Sequence, residues 1–185
     1  MEPKLLSEAI AQAISERFPD EVKEIREFRG QVSVTVRKER VKEILTYLRS
    51  TPQFSFNHLQ DVTGVDYLGR KALRFEVVYH LFSISHRHSI RIKAEVGQDD
   101  PSIDSVVDIW QGANWPEREC YDLMGIRFNG HPDLRRVLLP EDWEGHPLRK
   151  DYPLKSDLGE RDWKGFKEVV ATAQRNRQYE IREVR

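Results

Sequence analysis

The sequence predicts an α+β fold: a mixed or antiparallel sheet of about four strands with helices packed on one side, followed by an extended, irregular C-terminal segment. Three observations carry this. Two long neighbouring stretches alternate in polarity, with Leu73, Phe75, Val77, Tyr79 and Leu81 on one face of the first and His86, His88, Ile90, Ile92, Ala94 and Val96 on one face of the second. Apolar residues at helical spacing open the chain. From about Phe128 to Leu154 the texture changes to Gly, Pro, His and paired charges, which suits an ordered segment without regular structure.

Each element follows in order. Leu5, Leu6, Ala9, Ile10, Ala13 and Ile14 predict a first helix, which Phe18-Pro19-Asp20 stops. Val32, Val34 and Val36 alternate with Ser33 and Thr35 as a half-buried strand, and Val22 to Phe28 is its hairpin partner across Arg29-Gly30. Val41, Ile44, Leu45 and Leu48 form the stripe of a second helix that ends near Thr51-Pro52. The stretch from Thr51 to Gly69 supplies another strand that ends at the Leu68-Gly69 turn, and the two long strands come next as an antiparallel pair. Asp100-Pro101-Ser102 introduces a short helix through Val106, Val107 and Trp110. Asn114 caps another, with Pro116 in its first turn, Glu117 as the far arm of a capping box and Gly125 as its stop. Trp163, Phe166, Val169, Val170 and Ala173 predict a final helix in the tail.

Composition bounds the function. A chain of 185 residues, 38% hydrophobic and 33% charged, fits one globular domain over residues 1–128, with a partner-binding segment and tail over residues 129–185. The net charge of -1 excludes a global basic field for nucleic acid. Cys120 is alone, so no internal disulfide forms and a self-contained iron–sulfur cluster, which needs about four thiolates, is not expected. A reducing compartment is expected for the same reason. Charge interrupts the apolar residues after Met1, and no run approaches the roughly 18 apolar residues of a membrane span, so no direct membrane insertion is expected.

Two features could carry chemistry. The first is Trp115 to Gly125, which packs Glu117, Arg118, Glu119 and Asp122 into one short helix. Helix stability alone accounts for much of this, since acids oppose the positive helix end and Arg118 with Asp122 forms an i,i+4 pair. A carboxylate cluster for proton transfer and a charged surface for a partner are the functional alternatives. The second is a near-repeat, Gly130-His131-Pro132-Asp133-Leu134-Arg135-Arg136 and Gly145-His146-Pro147-Leu148-Arg149-Lys150-Asp151. Each copy combines a turn, an imidazole, a stiff proline and a basic pair, and suits a segment read by a partner. The alternative is a loop lashed to its own domain through Glu141, Asp142, Glu144 or Asp151. A metal site on His86 and His88 is the weakest reading, because no further ligand stands at suitable spacing. Gly-x-Ser-x-Gly, P-loop and Gly-x-Gly-x-x-Gly motifs are absent, so neither nicotinamide nor flavin binding is expected. Cys120, in an acidic helix, reads as a packing residue.

At these residues the chain resembles a known family. The run from Glu117 through Gly125 to Leu138, then Pro140-Glu141-Asp142 and Glu144 to Leu154, together with Asp61 to Tyr67 and Asp108-Ile109-Trp110, looks like the C subunit of respiratory complex I, the 30-kDa-type subunit of NADH:quinone oxidoreductase. The resemblance implies a non-catalytic structural subunit of the peripheral arm, on the cytoplasmic side of the inner membrane, that supports electron transfer from NADH to quinone. It implies no cofactor in this chain, with FMN and iron–sulfur clusters in neighbouring subunits. It implies as partners the D subunit, which holds the quinone site, the B subunit, which holds the terminal cluster, and the I subunit. On that basis the expected interface comprises Glu117, Arg118, Glu119, Asp122, His131, Arg135, Arg136, His146, Arg149, Lys150 and Tyr152. Equivalent subunits of energy-converting hydrogenases and plastoquinone-reducing complexes share the module. A rival of another class is a small stand-alone acid/base enzyme that uses Glu117, Glu119 and Asp122 with His131 or His146.

Overall fold

The computed structural model describes residues 3–153 and, beyond them, residues 168, 171, 172 and 175. Helix α1 (Pro3–Arg17) leads into the hairpin β1 (Val22–Phe28) and β2 (Gln31–Arg37), and α2 (Val41–Ser50) follows. Strands β3 (His58–Asp66), β4 (Phe75–Ser83) and β5 (His88–Val96) complete a five-stranded sheet in the order β1-β2-β5-β4-β3. All its pairs are antiparallel except β2 with β5, which run parallel. The β1–β2 hairpin turns on Arg29 (φ 53°) and Gly30 (φ 77°), the positive pair that a tight hairpin turn requires.

Alternation decides which face of the sheet is covered. Val34, Val36, Val77, Tyr79, Leu81, Ile90, Ile92 and Ala94 share one face and are buried with Ile10, Ile14, Ile44, Leu45 and Leu48 of α1 and α2. Arg91, Lys93, Glu95 and Glu76 lie on the other face, where Lys71 (2.6 Å) and Lys93 (3.3 Å) compensate the fully buried Glu76. A register shift between Leu59 and Asp61 in β3 keeps both Leu59 and Val62 on the apolar face although they stand three residues apart. Without that bulge one of them would point to the charged side.

Several expectations change. Among the described side chains the buried stripe of α1 runs through Ser7, Ile10, Ala11 and Ile14, with Phe18 buried just beyond its end. Ala11 thus replaces the predicted Ala9, which is exposed, while the predicted Leu5 and Leu6 side chains lie outside the described ones. The sheet has five strands because the β1–β2 hairpin joins it at β5. His86 leaves the strand face, because β4 and β5 begin to pair at Ser83 and His88 and residues 84–87 form the turn. The short helix expected after Pro101 is instead strand β6 (Ser102–Asp104), which pairs in parallel with β7 (Arg127–Asn129). Backbone pairing across this distance outweighs the local start signal. Helix α3 (Asn114–Met124) stops at Gly125 as expected, at φ 72°, whose N–H caps the Tyr121 carbonyl 2.9 Å away. Asn114 does not cap it: Asn114 is already helical, and Ala113 before it has no side chain that could cap. Residues 130–153 contain neither helix nor strand. The predicted tail helix over residues 163–173 lies outside the described residues, apart from helical Glu168, Ala171 and Thr172.

Candidate functional site

Helix α3 packs closely on β3: a Cβ at Gly64 would lie 2.5 Å from Met124 Sδ, so Met124 would have to shift to admit one. One face of α3 is therefore fixed against the sheet and the other takes up the segment that follows. Asp122 organises that segment. Its fully buried carboxylate accepts from Arg136 Nη1 (2.8 Å) and from the consecutive backbone N–H groups of Val137 (3.0 Å), Leu138 (2.8 Å) and Leu139 (2.9 Å). Burial would raise the Asp122 carboxyl, but these donors outweigh it and hold the group below its usual range. Four charge-assisted bonds on one carboxylate fix the direction of an otherwise irregular chain.

The rest of α3 divides its polar groups between inside and outside. Arg118 is buried, donates from Nε to the Arg135 carbonyl (3.1 Å) and from Nη2 to the Arg136 carbonyl (3.2 Å), and lies over the Trp115 ring at 4.8 Å. It therefore does not form the expected pair with Asp122. Glu117 is fully buried and does not close a capping box. Its carboxyl accepts instead from the Ser105 hydroxyl (2.7 Å) and the Val106 N–H (2.8 Å). Burial pushes it up to about 7, above its usual range, since these two donors and the more distant Lys42 do not replace the water it has lost, and Asp108 raises it further. Glu119 is exposed. The three carboxylates thus face different surroundings and do not converge, and His131 and His146 bond to carbonyls of α3 rather than to any of them. An acid/base pair acting on one substrate is not assembled here.

The second Gly-His-Pro run caps the end of α3. His146 Nδ1 meets the Asp122 carbonyl at 2.9 Å, Leu148 N–H donates to the Leu123 carbonyl (2.9 Å) and Arg149 Nε donates to the Met124 carbonyl (2.7 Å). Basic groups on the last carbonyls of a helix complement its negative end. Both side chains pass directly over Gly125, where a Cβ would lie 2.5 Å from Arg149 Nη2 and from His146 Nε2. Gly125 thus serves a second purpose besides its positive φ. The Tyr152 hydroxyl reaches the Glu144 carbonyl at 3.4 Å, and the Tyr152 ring covers Gly145.

The strongest anchor of the segment involves two acids and an arginine outside the expected set. Arg74 grips Asp66 through Nε (3.0 Å) and Nη2 (2.8 Å), and grips Asp151 through Nη1 (2.9 Å) and Nη2 (2.6 Å). Asp66 also accepts from the Lys150 N–H (2.8 Å) and the Leu68 N–H (2.9 Å). Burial opposes ionisation of Asp66, yet these donors bring it down to about 2. Of the carboxylates expected to lash the loop, Asp151 does so. The main anchors, Asp122 and Asp66, belong to the folded domain.

Of the predicted interface residues, Glu117 is wholly interior and Arg118, Asp122 and Arg136 are occupied in holding the segment. Glu119, Arg135 and Lys150 are exposed, and His131, His146, Arg149 and Tyr152 are partly so. Arg135 pairs with the exposed Asp133 (2.9 Å). The proposed metal pair is engaged elsewhere: His86 and His88 stack in parallel, with Nε2 of each 3.0 Å from the carbonyls of Pro52 and Phe54.

Comparison with known proteins decides the family. Residues 34–158, which include every residue of this site, match the family described as respiratory-chain NADH dehydrogenase, 30 Kd subunit. The chain belongs to this family. It is 53% identical over 142 residues to the NADH-quinone oxidoreductase C subunit of Geobacter sulfurreducens, a match that spans 77% of this chain and 86% of the relative. The corresponding C subunit of a Roseiflexus species is 46% identical over 170 residues, or 92% of this chain and 91% of that one. Among solved structures, the trypsin-resistant fragment (1-134) of Nqo5 superposes with a TM-score of 0.62 at 33% identity, covering 71% of this chain and 99% of the fragment. A chain of the membrane-bound sulfane sulfur reductase, an archaeal respiratory membrane complex, shares the fold at a TM-score of 0.64 and 23% identity, over 80% of this chain and 85% of its own.

Within this 30-kDa subunit family member, Arg74 and Asp66 escaped selection from the sequence because they sit in a strand and beside one, eight residues apart, and nothing local marks them as a pair. One signal was available. Asp66 continues the apolar face of β3 after Leu59 and Val62, and a carboxylate on that face requires a buried cation. Among the described residues no helix is long and apolar enough to cross a membrane.

Proposed function

We propose that this chain is a non-catalytic structural subunit of the peripheral arm of a proton-translocating NADH:quinone oxidoreductase, and that residues 130–153 are the surface with which it clasps the quinone-site subunit. The terminal-cluster subunit and the I subunit are the further neighbours. The observation that carries this is the state of the segment: without helix or strand, it is fastened at Asp122 and at Arg74 while Leu138 (62% exposed) and Leu148 (52% exposed) are held outward. Ordering an irregular segment costs about 1–2 kcal/mol of backbone entropy per residue, and a pre-ordered surface spares a partner that cost. Exposed leucines beside Arg135 and Lys150 suit the apolar centre and polar rim of a protein interface. The chain would carry no flavin, nicotinamide, cluster or active site of its own and would sit on the cytoplasmic side of the inner membrane, while electrons pass through neighbouring subunits.

The test is assembly. From gently solubilised membranes, the chain should co-purify with the quinone-site and terminal-cluster subunits and with NADH:quinone reductase activity, and the isolated chain should show no flavin or cluster absorbance. Recovery as a free monomer, with the rest of the complex intact, would overturn the reading. Co-purification with a hydrogenase or a plastoquinone-reducing assembly would transfer the same role to another host.

A further inference from the structure

His146 and Arg149 each hold the helix end with one edge of the side chain, and among the described residues the other edge makes no hydrogen bond or ion pair. His146 Nδ1 donates to the Asp122 carbonyl and Arg149 Nε donates to the Met124 carbonyl, so the end of α3 fixes both orientations. The opposite edges, His146 Nε2 and Arg149 Nη2, lie 2.5 Å from the same point above Gly125. Arg149 is only partly exposed and is held over the Phe75 ring at 5.2 Å. Among the described residues it forms no ion pair. The nearby acids Asp66 and Asp151 both bond to Arg74, and Asp122 bonds to Arg136. Arg149 is therefore a half-buried cation that the Asp66 and Asp151 charges offset only at longer range, alongside Arg74, and its fork has no direct ion pair among the described residues. A guanidinium fork beside an imidazole matches the planar, two-oxygen geometry of a carboxylate.

We propose that His146 and Arg149 form a two-residue receptor for one carboxylate side chain of the partner that covers residues 130–153. The inference rests on the structural role given above and names the chemistry of its central contact. The free imidazole is held below its ordinary value by burial and by the Arg149 and Arg136 charges, against the Asp122 carbonyl and carboxylate, with the edge of Tyr121 packed beside it. A docked carboxylate reverses that balance, so His146 takes up a proton as the interface forms.

The experiment rebuilds the complex from the full chain and a preparation of the remaining subunits made without it, and measures affinity between about pH 6 and 8, the range in which a histidine titrates. Arg149→Gln should weaken binding at least about thirty-fold, as for a truncated interface charge pair, and Arg149→Lys should recover part of it. Wild-type affinity should fall as pH rises, by at most about tenfold per pH unit for one proton, and His146→Gln should flatten that slope. Because Arg149→Gln could also disturb folding, the slope of His146→Gln decides independently. Unchanged affinity in Arg149→Gln, or an unchanged slope in His146→Gln, overturns the receptor while the wild-type chain still assembles and the structural role stands. If Arg149→Gln destabilises the free chain as much as it weakens assembly, the carboxylate is the chain's own and the proposal fails. If the wild-type chain does not assemble, both readings fall.

Discussion

Glu117 offers the sharpest physical test, because an isosteric change removes its charge and keeps its shape. In Glu117→Gln the amide oxygen can accept from the Val106 N–H and the amide nitrogen can donate to the Ser105 hydroxyl, so both contacts of the wild type survive. What disappears is the ionisation that burial opposes. The carboxyl moves from an ordinary 4.5 to about 7 on folding. At about 1.4 kcal/mol for each tenfold change in proton affinity, ionised Glu117 costs the native state about 3 kcal/mol. The sign follows from the raised value. Below the unfolded value of 4.5 both states bind the proton and nothing is lost; the penalty then grows as pH rises and is complete above about 7. Urea unfolding of both proteins between pH 4.5 and 8 should therefore show the wild type losing about 3 kcal/mol relative to Glu117→Gln. A flat difference would mean that Glu117 ionises normally. A wild type that gains on the variant with rising pH would mean that Ser105 and Val106 stabilise the carboxylate more than burial opposes it, which would refute the reasoning.

Other outcomes follow from the same structure. Arg74→Gln should cost about 3–5 kcal/mol in urea unfolding, since it strands the buried Asp66 carboxylate, whereas Asp66→Asn should cost less because Arg74 keeps Asp151. In both variants amide exchange at Lys150 should accelerate as the segment loses its anchor. Because Asp66 is lowered from 3.8 to about 2, its stabilisation should be complete above about pH 4 and lost as pH falls through 2, in acid unfolding of the wild type compared with Asp66→Asn. Gly125→Ala should lose at least about 1–2 kcal/mol for the left-handed backbone, and more because the new methyl displaces His146 and Arg149. In a complex, that variant should also assemble poorly even below its melting temperature. Cys120, buried and pushed up to about 12, should resist thiol reagents at pH 8 until the chain unfolds, so its labelling rate in urea should track global unfolding.

Local pattern and tertiary pairing contributed differently along the chain. Helix α2 and the β1–β2 hairpin were legible because each is specified by its own residues, a stripe at Val41, Ile44, Leu45 and Leu48 in one case and an Arg-Gly turn between alternating strands in the other. Strand β6 was not legible, because three residues of strand exist only through their pairing with β7, which lies more than twenty residues away. The capping box failed for the same reason. Glu117 had a local use within reach, but Ser105 and Val106 arrive from another element and offer a better one.

By itself the sequence determined the fold class, the helix that ends at Gly125 and the place of the segment after it, because periodicity and a left-handed glycine are properties of neighbouring residues. The family signature from Glu117 to Leu154 was also readable there. Tertiary structure alone decided which charges face inward. Arg118, Asp122 and Arg136 looked like surface, yet they hold the segment in place, while Arg149 has no ion pair among the described residues. A charge is buried or offered to a partner according to which opposite charges the fold brings beside it, and residues such as Arg74 and Asp151, separated by 77 positions, meet only in three dimensions.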